Sequence, residues 1–154
     1  MSGARLSPIL SGVAGQYFVA AELSRRGLIA SITLRNTRGI DVLAANSAGT
    51  RSVGIQVKTN QDAAKKWLLT DKAEHLVADN LFYVFVNLNG PDGVPAYHIV
   101  EARVVAAAVA QRHRAWLAGA RPDGGPRKDT SMRAFRDPEC VYLNAWHRLG
   151  LDPA

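Results

Sequence analysis

The sequence predicts an α+β fold in which helices flank a mixed central β-sheet. Three observations indicate this class. Residues 11–26 have apolar side chains at helical spacing, residues 39–58 have the pattern of a β-hairpin, and residues 81–88 form a short apolar run typical of a buried strand. An α+β domain of this kind buries the apolar stripe of each helix against the sheet.

Length and composition fit a single domain. The chain has 154 residues, with 47% hydrophobic and 21% charged residues, which is typical of a globular protein. We expect one domain over residues 1–154, with its core over about residues 11–118 and a C-terminal loop and helix over residues 119–150.

The first predicted helix covers residues 11–26. Ser7 or Ser11 can cap its N-terminus, and Gly27 is placed to end it. The residues that share its inner face at helical spacing are Gly12, Gln16, Val19, Ala20 and Leu23. A strand over residues 28–34 should follow, because this segment is rich in β-branched residues.

The hairpin at residues 39–58 brings three polar residues to one end. Asp41 lies near the start of its first strand, and Gln56 and Lys58 lie near the end of its second strand. Side chains at i and i+2 of a strand share a face, and antiparallel pairing places the start of one strand beside the end of the next. The sequence therefore predicts a carboxylate, an amide and an ammonium close together, a set suited to a cation and a phosphate.

The remaining elements follow in chain order. The turn at residues 89–93 is strongly indicated by its Asn, Gly, Pro and Asp residues. The predictions are a strand at 67–69, a helix at 71–77 capped by Asp71, a central strand at 81–88 buried on both faces, a strand at 96–100, a helix at 101–117 and a C-terminal helix at 138–149.

The charge balance favours a polyanionic partner. The formal net charge is +6, the sequence pI is about 9.9, and 14 of the 19 basic residues are arginines, whose planar guanidinium suits phosphate. A solvated basic surface without a partner is the alternative. Arg35, Arg38, Lys65 and Lys66 lie in loops that flank the hairpin, and we predict that they contact nucleic-acid phosphates.

Cysteine content and hydropathy point to the cytoplasm. Cys140 is the single cysteine, so the chain forms no internal disulfide, and no apolar run approaches the ~20 residues of a membrane span. His98, His113 and His147 show no spacing typical of a metal site.

The segment 12–59 resembles the PD-(D/E)XK nuclease superfamily, which has the restriction-endonuclease-like fold. The resemblance rests on GVAGQYFVAAELSRRG, followed by GIDVLA and then IQVKT. It is strongest to the Holliday-junction-resolvase-like and Gln-x-Lys branches. The segments YHIV at 97–100 and SMRAF at 131–135 are similar to uncharacterised bacterial proteins with this core.

The resemblance implies a DNA endonuclease that depends on Mg²⁺ or Mn²⁺. Asp41 would be the main metal ligand, Gln56 would stand in the place of the second acid and Lys58 in the place of the catalytic lysine. Gln16 falls where a helix glutamate often completes the metal site. DNA is the partner that the resemblance implies, and a homodimer is the assembly it suggests.

The two glutamines leave two interpretations open. Mg²⁺ prefers carboxylate and other oxygen ligands, and Asp41 is the one firm carboxylate of the set, so the metal would be weakly held. Glu22 lies six residues after Gln16 and points to another side of a helix. The chain is then either an active nuclease or a catalytically inactive nuclease-fold module that binds nucleic acid or protein.

Overall fold

A computed structural model describes residues 4–34 and 38–152. It has two α-helices, seven β-strands and two short 3-10 turns within these ranges. The elements are α1 (Pro8–Arg25), β1 (Ile29–Ile32), β2 (Val42–Ala45), β3 (Ser52–Asn60), β4 (Lys66–Thr70), the turn Asp71–Glu74, β5 (Leu81–Asn87), β6 (Ala96–Glu101), α2 (Ala102–Ala118), β7 (Met132–Arg136) and the turn Trp146–Leu149.

Five strands form a mixed sheet in the order β1-β2-β3-β5-β6. β3 and β5 run parallel, with Val57 beside Val84, and the other three pairs are antiparallel. β4 and β7 form a separate antiparallel pair, which we call the ribbon. The mixed sheet flanked by helices that the sequence predicts is confirmed.

Helix α1 covers one face of the sheet. Val19 and Leu23 of the helix pack in one buried cluster with Val42, Ile55 and Val84 of the strands. A Cβ atom at Gly15 would lie 1.9 Å from Oγ1 of Thr59, so the helix backbone approaches β3 at a distance that only glycine permits. The Trp146–Leu149 turn adds to the same cluster.

Helix α2 and the ribbon cover the opposite face. Val105 and Val109 of α2 share a buried cluster with Tyr83 and Phe85 of β5 and with Phe135 of the ribbon. The rings of Phe85 and Phe135 stack with their centroids 4.7 Å apart. This packing holds the ribbon against the sheet beside the end of β3.

A buried hydrogen-bonded pair ties the C-terminal segment to β6. Nδ1 of His98 lies 2.6 Å from Oδ2 of Asp137, and both side chains are buried. The Asp137 carboxylate also accepts the backbone N–H groups of Val141 and Tyr142. The chain after the ribbon is therefore held by side-chain and backbone contacts rather than by a helix.

The boundaries of the first helix differ from the prediction. It begins at Pro8, and Ser7 is the cap, since its Oγ accepts the N–H of Leu10 at 3.2 Å. Gly27 ends the helical segment with φ +81° as predicted. The buried positions are Ser11, Gly15, Val19 and Leu23, so the inner face is rotated from the predicted one.

Two predicted helices are wrong. Residues 71–77 hold only a 3-10 turn, Asp71–Glu74, and Asp71 does not cap it, because Thr70 occupies the cap position. The helix predicted at 138–149 is limited to the turn Trp146–Leu149. Positive φ angles at Cys140 and Asn144, of 56° and 52°, are incompatible with a continuous helix there.

The described ranges contain no helix that is both long enough and apolar enough to cross a membrane.

Candidate functional site

Asp41 lies at the point where β2 begins to pair with β3. Its backbone N–H donates to the carbonyl of Ile55 at 2.8 Å, and its Oδ2 accepts the backbone N–H of Val57 at 2.8 Å. The Asp41 carboxylate thus accepts a hydrogen bond from the backbone of β3, just beyond the last paired residues of β2 and β3. The second oxygen, Oδ1, accepts no hydrogen bond from the described residues and is available to a ligand.

Gln56 and Lys58 flank Val57 and project from the face of β3 that lies opposite the α1 cluster. Oε1 of Gln56 is buried and has no hydrogen-bond partner in the described chain. A buried carbonyl oxygen without a partner costs free energy, so a water or a cation is the expected occupant beside it. Tyr83 is the neighbour of Gln56 on β5. Burial raises the pKa of Tyr83 to about 12, so its phenol is neutral at pH 7.

Lys58 is a half-buried ammonium close to this pair. Burial lowers the pKa of Lys58, and the negative charge of Asp41 acts in the opposite direction. No carboxylate of the described residues forms a direct ion pair with Lys58. Its charge is therefore partly desolvated and is offset by Asp41 without a direct ion pair, a state that favours contact with an anion.

A cavity of about 590 Å³ opens beside Lys58, where the N-terminus of α1 meets the end of β3. Its volume falls in the range of small-molecule and cofactor sites, about 300–1,000 Å³. Ser11 and Thr59 line it, and Oγ1 of Thr59 is buried without a hydrogen-bond partner in the described chain. Arg5 lies at the exposed rim.

Arg5, Ser11 and Thr59 were missed in the sequence. No motif joins them, since Arg5 precedes α1, Ser11 lies in α1 and Thr59 lies in β3. Only the folded topology brings them together. The position of Thr59 directly after Lys58 was the one available signal, because the end of a strand that carries candidate site residues is itself a candidate.

Gln16 has no hydrogen bond to the other three predicted site residues in the described chain, and its place in the site stays a prediction. It lies on α1, which covers the opposite face of the sheet from Gln56 and Lys58. It makes no hydrogen bond in the described chain and does not line the Lys58 cavity. Glu22 is also elsewhere, since its carboxylate pairs with Arg25 and Arg26. The predicted helix face was wrong because Gly15, rather than Gln16, points at β3.

The basic residues predicted to contact nucleic acid lie in different places. Lys65 and Lys66 are exposed where the chain enters β4, next to the Lys58 cavity, which Leu68 of β4 lines. Arg38 is exposed and lies three residues before Asp41. Arg35 lies outside the described residues.

The donor atoms at the site fit a weakly held Mg²⁺ or Mn²⁺ ion. No group of three or more His, Cys, Asp or Glu residues that could hold a metal occurs in the described ranges. The oxygens on hand are Oδ1 of Asp41 and the unpaired Oε1 of Gln56. Mg²⁺ is commonly bound through one or two carboxylates and completes its octahedron with water and phosphate, so Asp41 supplies one ligand of the usual kind and Gln56 would add a neutral oxygen.

Comparison with known proteins supports the fold. No protein-family model matches the chain, and no curated protein matches its sequence. The structure is similar to that of a bacterial homing endonuclease, with a TM-score of 0.57 and 12% sequence identity over 96% of this chain and 95% of that chain. It is also similar to Hjc, a Holliday junction resolvase from Archaeoglobus fulgidus, with a TM-score of 0.48 and 14% identity over 85% and 86% of the two chains. The chain therefore has the restriction-endonuclease-like fold that its sequence predicts.

Proposed function

We propose that this protein is a metal-dependent nuclease of the PD-(D/E)XK superfamily, in its Gln-x-Lys branch, and that it hydrolyses DNA phosphodiester bonds. One observation carries the proposal. A free carboxylate oxygen of Asp41, an unpaired buried oxygen of Gln56 and a desolvated Lys58 ammonium converge around a single residue, Val57. The fold shared with a homing endonuclease favours DNA as the substrate.

The roles of the residues follow from their chemistry. Oδ1 of Asp41 and Oε1 of Gln56 would hold Mg²⁺ or Mn²⁺, which when bound lowers the pKa of a water and polarises a phosphate oxygen. Lys58 stabilises the negative charge that builds on the phosphate, and its burial makes that interaction stronger than it would be in water. The N–H of Val57 fixes the orientation of the Asp41 carboxylate.

Cleavage of supercoiled plasmid and of branched DNA in Mg²⁺ or Mn²⁺ tests this function. Asp41→Asn retains an acceptor for the N–H of Val57 and removes the charge, and Lys58→Met retains most of the side-chain volume. We expect each variant to lose roughly 10²-fold or more in rate, the usual cost of removing one electrostatic group from an active site. Lys72→Met, an exposed lysine in the Asp71–Glu74 turn, is the matched control. Equal rates in all four proteins, or no cleavage by the wild type, would contradict the proposal.

A second candidate function is a nuclease-fold module that binds DNA without cutting it. The observation that favours it is the single carboxylate at the site, since Gln56 supplies only a neutral oxygen. It predicts binding that weakens steeply as salt rises, because bound phosphates release counterions, with no turnover in either metal. Affinity that is unchanged between low and high salt would rule it out.

A further inference from the structure

We propose that a groove between α2 and the ribbon binds single-stranded DNA beside the nuclease site. The groove has a volume of about 820 Å³ and is lined by α2, by both strands of the ribbon and by Thr130. We call it the ribbon groove. Its position next to a reaction centre rests on the proposed function, whereas its capacity to bind a strand does not.

The ribbon groove is positively charged without compensation. Lys66, Arg112 and Arg136 are exposed along it and have no ion-pair partner in the described chain. The described residues that line it include no Asp or Glu. A concave surface that carries one sign of charge concentrates counterions, so the groove attracts a polyanion.

The other two basic groups of the ribbon groove already have carboxylate partners that lie outside its lining. Nε of Arg133 lies 2.5 Å from Oε1 of Glu74, and Nε2 of His113 lies 2.7 Å from Oδ1 of Asp129. Both residues therefore have a carboxylate partner within the chain. It leaves Lys66, Arg112 and Arg136 available to a partner.

Two of the free cations face each other across the ribbon. Lys66 of β4 is directly opposite Arg136 of β7, and both point away from the core. Like charges at directly opposite positions of an antiparallel pair destabilise it. A phosphate bound between the two side chains would remove this cost. The contacts within the ribbon alone do not explain why two cations are paired.

Apolar side chains are exposed between the cations. Leu68 is 59% exposed, Met132 is 60% exposed and Trp116 is 40% exposed, and all three line the groove. Arg127 and His113 hold the Trp116 ring in place, with the guanidinium 5.1 Å and the imidazole 5.7 Å from its centroid. Unpaired bases offer apolar faces to such side chains, whereas a duplex covers its base faces by stacking. The combination favours a single strand over a duplex.

The ribbon groove lies beside the candidate active site. Leu68 lines both the groove and the cavity beside Lys58, so only β4 separates the two. A strand lying in the groove can cross β4 near Lys66 and bring its next phosphates toward Lys58. The groove would thus hold an unpaired arm or flap of the DNA, next to the phosphate that is cut.

Binding of a fluorescein-labelled oligothymidine of about 16 nucleotides, followed by anisotropy at several KCl concentrations, tests the inference. Each phosphate contact on a single strand contributes about 0.7 to the slope of log K against log salt, so we expect the triple variant Lys66→Ala, Arg112→Ala, Arg136→Ala to reduce that slope by about 2. Thermal unfolding of each variant verifies its fold.

Helix α2 offers a matched control. Arg112→Ala removes a cation from the groove, and Arg114→Ala removes another exposed arginine, two residues away, that does not line it. We expect weaker binding with the first variant and unchanged binding with the second. Equal affinities of the two variants would overturn the proposal.

Tryptophan fluorescence locates the bound strand. Of the three tryptophans, Trp67 and Trp146 are buried and only Trp116 is exposed in the groove. Oligothymidine should change the emission of the wild-type protein, and Trp116→Phe should abolish that change while the anisotropy signal persists. An unchanged Trp116 emission on saturation, or duplex DNA that binds as tightly as the single strand, would contradict a single-strand site.

Two further measurements separate the alternatives. Polyglutamate that displaces the oligothymidine at equal charge concentration would overturn the DNA assignment in favour of an acidic protein partner. Cleavage of plasmid DNA by the wild type and by the groove variants is the second measurement. If no protein cleaves DNA but binding depends on Arg112, the proposed nuclease function fails and the groove stands. If the wild type cleaves DNA and the groove variants bind normally, the groove fails alone.

Discussion

The backbone N–H of Val57 donates a 2.8 Å hydrogen bond to Oδ2 of Asp41. This contact joins the two strands of the hairpin and orients the carboxylate between the side chains that flank Val57. It leaves Oδ1 of Asp41 without a hydrogen-bond partner in the described chain. Under the proposed function, Oδ1 of Asp41 would contact the cation and Oε1 of Gln56 would supply the second protein oxygen.

The first prediction concerns that second oxygen. Gln56→Glu places a charge where a neutral oxygen now lies, and we expect Mn²⁺ to bind at least about tenfold more tightly, since ligand charge raises the affinity of oxygen sites for divalent ions. Isothermal titration calorimetry with Mn²⁺ measures the change. Gln16→Glu is the comparison, and it should leave the affinity unchanged, because α1 covers the other face of the sheet. Tighter binding with Gln16→Glu instead would put the metal elsewhere.

The second prediction concerns the stability cost of Lys58. Its ammonium is partly desolvated, and burial lowers the pKa of Lys58. Lys58→Met should therefore raise the free energy of unfolding by about 0.5–2 kcal/mol while it removes cleavage, the usual trade-off at a functional site. Urea unfolding measures the stability. Lys72→Met, at an exposed position, should change it by less than about 0.5 kcal/mol. A destabilised Lys58→Met protein would indicate a structural lysine.

The third prediction uses two glycines of α1. A Cβ at Gly15 would collide with Thr59, whereas a Cβ at Gly12 meets no atom within 4 Å. Gly15→Ala should lower the free energy of unfolding by about 1–3 kcal/mol through overpacking, and Gly12→Ala should raise it by about 0.5–1 kcal/mol through helix propensity. Chemical denaturation of both variants measures the two changes. If both substitutions raised, or both lowered, the free energy of unfolding, α1 would not approach β3 this closely.

The fourth prediction concerns acid stability. Burial by itself would raise the pKa of Asp137, but the hydrogen bonds from His98, Tyr142 and Val141 outweigh it and lower the pKa. A carboxyl with a lowered pKa in the folded state stabilises the protein above its ordinary pKa of about 3.9, and this contribution is lost as the pH falls through the lowered value. Stability should therefore fall progressively below about pH 4.

Asp137→Asn tests that acid dependence. It should lower the free energy of unfolding at pH 7 by about 1.5–3 kcal/mol, the cost of losing hydrogen bonds to a charged group, and it should flatten the decline below pH 4. Urea unfolding between pH 3 and pH 7 measures both effects. Asp71→Asn, at an exposed position, is the control and should retain the wild-type dependence. If the stability of Asp137→Asn fell just as steeply below pH 4, other carboxyl groups would be responsible for the decline.

Much of the central sheet could be predicted because its information is local. The hairpin has a period of two on both sides of a polar turn, and β5 is a continuous apolar run, which matches a strand buried on both faces. These patterns were sufficient to bring Asp41, Gln56 and Lys58 to one region. Their chemical roles depend on a ligand and stay proposals.

The C-terminal third was harder because its structure depends on distant partners. β7 exists through pairing with β4, more than 60 residues earlier, and the segment after it is held by His98 of β6. Apolar spacing at 138–149 suggested a helix, but the Asp137 carboxylate accepts two of the N–H groups that a helix would use. The inner face of α1 was predicted incorrectly for a related reason, since hydrophobic spacing does not register a glycine such as Gly15 that packs through its missing side chain. The role of Gln16 in the site stays a prediction.

The contact between Gly15 and Thr59 gives a way to recognise relatives of this protein. Metal ligands can change when activity is lost, but a helix that touches a strand through a missing side chain cannot gain a Cβ without repacking. Distant homologues should therefore retain glycine in the first helix together with a small residue directly after the Gln-x-Lys position. This pairing would trace descent in sequences whose catalytic acids have been replaced.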